Sequence, residues 1–198
     1  MKRNIAMSEK KELYEIARLP WGVQEGIPEP PGFPYLDKKV INDTYNFVES
    51  ELDTGILGVY CPLIYYVYEP NSKQEAPIAF ENPQGRITII LSRSVINQGC
   101  ELVFQLSHEL CHCYFYSRRG LPKGRACTKD ENYCAAMSLF TVEHLFPDWT
   151  EYYRQVILHN NDPGYPYLCG YALFDKFRKN YKEFVADMKA YYNTISDS

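Results

Sequence analysis

With 198 residues, 45% of them apolar and 15% aromatic, the chain has material for one packed domain with appendages. A net charge of −4 and the absence of a basic stripe argue against a nucleic-acid-binding face: the densest cations, Arg118, Arg119, Lys123, Arg125 and Lys129, are broken up by Gly120, Pro122 and Gly124. Without an N-terminal apolar signal core or a long apolar run, and with 7 cysteines, an odd number, a cytoplasmic protein with free thiols and no membrane contact is expected.

In chain order, residues 7–18 are compatible with a short amphipathic helix. Residues 19–35 carry five prolines and read as an extended arm, so 1–36 forms an N-terminal helix and Pro-rich segment. Asp37 is placed to cap a helix through Val40, Ile41, Tyr45, Val48 and Leu52. Runs rich in Val, Ile and Tyr at 56–68, 78–80 and 86–91, the last two separated by Asn82-Pro83-Gln84-Gly85, read as strands with a hairpin. Helices are expected at 95–116 and 129–143, joined by a polar loop, and again at 149–158 and 171–192. Residues 37–147 then form a core, and 148–198 a C-terminal helical extension packed on it. The fold class this implies is α+β, with a small, partly antiparallel sheet packed on the helix at 95–116.

That helix contains Ser107-His108-Glu109-Leu110-Cys111-His112, a His-Glu-x-x-His pattern. Histidines at i and i+4 share one helical face and can grip one metal ion, while the glutamate between them is placed to take a proton from water activated by that metal. Leu102, Val103, Leu106, Leu110 and Cys113 form an apolar stripe, widened by Phe104, Tyr114 and Phe115. A helix this apolar is buried, and polar side chains buried within it need partners that a metal supplies.

A catalytic zinc site needs a third protein ligand. Glu131 lies 19 residues beyond His112, across a loop long enough to reverse direction, and opens a helix whose Ala135, Ala136 and Ser138 permit close approach. Asp130 is the alternative. His144, His159, Tyr152, Tyr153 and Tyr171 are candidates for steadying an oxyanion. Cys111 and Cys134 read as packing residues, although a structural site closed by a cysteine is a rival arrangement.

The run Leu-Val-Phe-Gln-Leu-Ser-His-Glu-Leu-Cys-His, followed by Glu-Asn-Tyr-Cys-Ala-Ala-Met-Ser-Leu-Phe, resembles the ImmA/IrrE-type metallopeptidases over about residues 37–147. The chain differs where that family has Gly (here Cys111), Ala-Asn (Cys134-Ala135) and Phe-Ala (Met137-Ser138). The resemblance implies a zincin-like fold, zinc held by His108, His112 and Glu131, and Glu109 as general base. It also implies a zinc metalloendopeptidase whose substrate is a regulator, such as a helix-turn-helix repressor. A zinc-fold module without turnover, acting by protein–protein interaction, is the alternative. In the peptidase reading, the edge of the strand at 86–91 is expected to hold extended substrate.

Overall fold

The computed structural model describes residues 13–18, 38–52, 63–67, 77–81, 87–91, 99–119, 127–159 and 167–195. Six α-helices lie among them: α1 (Lys38–Leu52), α2 (Gly99–Arg119), α3 (Thr128–Leu145), α4 (Pro147–Leu158), α5 (Tyr167–Phe177) and α6 (Tyr181–Thr194). α2 is central. Every residue from 102 to 116 is buried, so this helix is enclosed around its whole circumference, as its all-round apolar sequence demands. α1 covers it with Ile41, Tyr45, Val48 and Leu52, four positions at helical spacing, and α3 packs along it most extensively.

Hydroxyls buried in these helices bond to their own backbone, which removes the cost of burying them. Ser107 donates to the Val103 carbonyl at 2.6 Å, Ser138 to that of Cys134 at 2.9 Å, and Thr141 to that of Met137 at 2.7 Å. Pro147 opens α4 at a position where its missing N–H costs nothing. On the far side of α3, α5 approaches so closely that a Cβ on Gly170 would stand 2.4 Å from the Ala135 Cβ and 2.9 Å from the Asn132 carbonyl oxygen. Neither neighbour is a flexible side chain that can swing away. Gly170→Ala is therefore expected to destabilise the fold by about 1–3 kcal/mol, despite alanine's better helix propensity. Urea unfolding tests this, and an unchanged midpoint would mean that α5 is free to shift.

Extended segments pair along their backbones as β1 (Leu13–Arg18), β2 (Leu63–Val67), β3 (Ile78–Glu81) and β4 (Ile87–Leu91), in the order β1-β2-β4-β3. β2 and β4 run parallel and the outer pairs antiparallel. The expected fold class is nevertheless corrected. Among the described residues the fold is predominantly helical and the paired strands are a minor part of it, so it is not a fold built on a partly antiparallel sheet. Among the described residues the helices supply most of the buried apolar side chains, and the extended segments add Ala79, Ile89 and Leu91.

Further expectations change in detail. Residues 13–18 are extended where a helix over 7–18 was expected, in keeping with the extended-backbone preference of Tyr14 and Ile16. β4 is flanked by β2 and β3, so the strand expected to offer substrate an edge is paired on both sides. The helix expected over 171–192 begins earlier and breaks at 178–180, where Arg178-Lys179-Asn180 has nothing apolar to bury and Arg178 donates to Glu143 at 2.7 Å. The Pro-rich stretch at 19–35, Asp37, residues 56–62, the turn at 82–85 and the loop at 120–126 lie outside the described residues. The C-terminal helices share the central core, since Phe174, Phe184 and Met188 are fully buried in the same cluster as Leu106 and Leu110. No described helix is long and apolar enough to cross a membrane.

Candidate metal centre

Two helices build the site. His108 and His112 stand one turn apart on α2, and Glu131 comes from the first turn of α3, where a carboxylate suits the helix dipole. The Glu131 amide donates to the Cys127 carbonyl at 3.0 Å, which fixes that turn. Three donor atoms converge. His108 Nε2 lies 3.1 Å from His112 Nε2 and 3.2 Å from Glu131 Oε2, and His112 Nε2 lies 3.5 Å from the same oxygen.

Such a triangle is what a small tetrahedral ion requires: bonds of about 2.0–2.1 Å place neighbouring ligand atoms about 3.3 Å apart. Two imidazole nitrogens and a carboxylate oxygen in one place bring their lone pairs together, and a shared cation satisfies all of them at once. The group can hold a metal ion, and among the described residues no fourth His, Cys, Asp or Glu joins it. Both imidazoles are buried, whereas the Glu131 side chain keeps 24% of its surface exposed, so solvent approaches from the α3 side.

Glu109 lies next to the triangle without entering it. Burial pushes its carboxyl above the ordinary carboxylate range. His112, His108 and the Ala79 backbone N–H, which donates to it from β3, pull the other way without cancelling that effect. The result is a carboxylate more basic than one in water. His112 is raised although burial alone would lower it, because the hydrogen bond it donates to the Glu131 carboxylate and the charges of Glu109, Glu131 and Asp130 outweigh desolvation. Burial also works against Glu131, but the two imidazoles hold its carboxyl far below the usual range, so it stays ionised. The surroundings of the site are thus electronegative, as a cation needs.

The other candidates lie elsewhere. Asp130 is fully buried and accepts the Tyr191 hydroxyl at 2.8 Å, since adjacent helical residues point about 100° apart. His144 is exposed and stacks on Phe47 with ring centroids 4.5 Å apart, and His159 caps α4 beside the Gln155 carbonyl at 2.9 Å. Tyr152 is 55% exposed, Tyr153 donates to Glu101, and the Tyr171 hydroxyl accepts from Arg154 at 2.9 Å. None of the five joins the metal triangle. Cys111 and Cys134 are fully buried outside it, Cys111 against the Met188 sulfur at 4.0 Å.

Two participants escape a reading of the motif. Tyr116, one turn beyond His112, stacks on its ring with centroids 5.6 Å apart and planes inclined by 13°. Extending the i,i+4 face by one more turn would have found it. The Ala79 N–H is a backbone group, for which no residue type could give a signal. Compared with known proteins, the chain matches no family model, no curated protein and no solved structure, so its likeness to the ImmA/IrrE-type peptidases rests on the motif residues alone.

Proposed function

We propose that the protein is a zinc-dependent metalloendopeptidase of the ImmA/IrrE type, and that it cuts a protein substrate. The observation that carries this reading is the triangle of donor atoms with sides of 3.1, 3.2 and 3.5 Å, beside which a buried carboxylate is left out of the ligand set. His108 and His112 would hold the ion through Nε2, and Glu131 through Oε2. Nitrogen and oxygen donors of this kind suit zinc. When bound, zinc supplies Lewis-acid polarisation of water and of the scissile carbonyl.

Glu109 accepts the proton of the attacking water on its carboxylate. A bond forms between the water oxygen and the carbonyl carbon, the C–N bond breaks, and Glu109 returns the proton to the leaving amine. The Ala79 N–H keeps that carboxylate oriented while it exchanges the proton. The substrate class is a protein, and following the resemblance we place a transcriptional regulator there. A cytoplasmic site of action fits six cysteines that are all free among the described residues.

Metal content decides the reading. Elemental mass spectrometry on wild type and Glu131→Ala should find one zinc per wild-type chain. It should also find a variant weakened by more than about 100-fold, because even the outer partners of a ligand are worth about 10–100-fold. Chelation should abolish cleavage of a quenched fluorescent peptide mixture, and one equivalent of zinc should restore it. A wild-type chain that takes up no zinc sinks the proposal. Zinc uptake without cleavage of any peptide or protein offered would instead favour a binding module that retains the site without turnover.

A further inference from the structure

Extending the metal-binding face of α2 by one turn reaches Tyr116, which is buried, with 5% of its surface exposed. Its ring lies against that of His112 at 5.6 Å between centroids and nearly parallel to it. On the other side, the His108 ring stands 4.8 Å away and is inclined by 74°, so it meets His112 edge-on. His112 is held between a flat neighbour and an upright one. Its remaining nitrogen, Nδ1, is buried and has no hydrogen-bond partner among the described residues.

A ligating imidazole needs something to fix its rotation about the Cβ–Cγ bond, and that is ordinarily a hydrogen bond from its second nitrogen. We infer that in this protein the Tyr116 ring does this work: it is the positioning residue of His112, holding the imidazole plane so that Nε2 faces His108 and Glu131. The inference rests on the metal reading above. Both rings rise from the same helix one turn apart, so the stack is set by α2 itself and does not depend on a second element. The ring is what positions the histidine; the hydroxyl is not needed.

The test is zinc affinity, measured by competition with a chromophoric chelator, in wild type, Tyr116→Phe and Tyr116→Leu. The leucine variant should bind about 10–100-fold more weakly, the range found when an outer partner of a ligand is removed. Tyr116→Phe keeps the ring and should stay close to wild type. Visible spectra of the cobalt(II)-loaded proteins give a readout that a merely structural role would not move: altered bands in the leucine variant, wild-type bands in the phenylalanine variant. Should the leucine variant fail to fold, Tyr116→Met fills the space with a flexible chain and replaces it. Wild-type affinity in the ring-free variant overturns the inference, and so does an equal loss in Tyr116→Phe. A wild type that binds no metal overturns the site itself, which is a different result.

Discussion

Glu109→Gln should lower peptide cleavage by about 10²–10⁴-fold while the chain still binds one zinc. Glutamine has the same shape, and its carbonyl oxygen can still accept the Ala79 N–H, so the local packing has little reason to change. It lacks the ability to take a proton. Among the described residues the donor triangle is made by His108, His112 and Glu131 alone, so metal content should be preserved. Cleavage of the fluorescent peptide mixture and elemental mass spectrometry on the same sample provide the two readouts. Loss of both zinc and activity would make Glu109 a ligand, and unchanged activity would move the general base elsewhere.

Phe184→Ala should cost about 3–5 kcal/mol of folding free energy, a large part of the 5–15 kcal/mol that holds a typical domain together. Phe184 is fully buried on α6, and its ring lies 4.7 Å from that of Phe140, 6.1 Å from those of Phe177 and Tyr181, and 6.2 Å from that of Tyr133. Truncation leaves a cavity lined by other aromatic rings, which cannot collapse easily to fill it. For a chain of this size the melting temperature should fall by roughly 10 °C. Urea unfolding gives the free energy directly. A loss below about 1 kcal/mol would mean that α6 is an appendage whose packing α3 does not need.

Much of the site was legible because it follows from local geometry. The separation of His108 and His112 is one helical turn, and helix formation over this stretch is dictated by its apolar stripe. Glu131 was accessible by a looser argument, the reach of a loop and small residues on the next helix. The structure gives one of those small residues a further neighbour, since Ala135 makes room for Gly170 on α5. Asp130 and Glu131 could not be separated by composition; the phase of α3 separates them, turning Asp130 toward Tyr191.

The fold was less legible. β-Branched and aromatic runs at 78–80 and 86–91 gave a strand signal that β3 and β4 follow, and β3 reaches α2 through the Ala79 N–H; what that signal overstated was the share of a sheet in a predominantly helical fold. Yet periodicity tells which face of an element is apolar and is silent about what lies against it. For residues 148–198, expected as a helical extension packed on the core, it could not name the side chains that make the contact, Phe174, Phe184 and Met188.

The candidate ligand set is divided between helices, two histidines on α2 and the carboxylate on α3, and that division reaches beyond chemistry. An ion held by all three residues would be a cross-link between the most extensively packed pair of helices among the described residues. Any ion that binds the folded chain alone adds stability by mass action, about 2.7 kcal/mol when its free concentration is a hundred times its dissociation constant. Starving a cell of the metal would then do more than silence the protein: the unloaded chain would open more often, and quality-control proteases would shorten its lifetime. Abundance, and not only the proposed activity, would become a readout of metal supply.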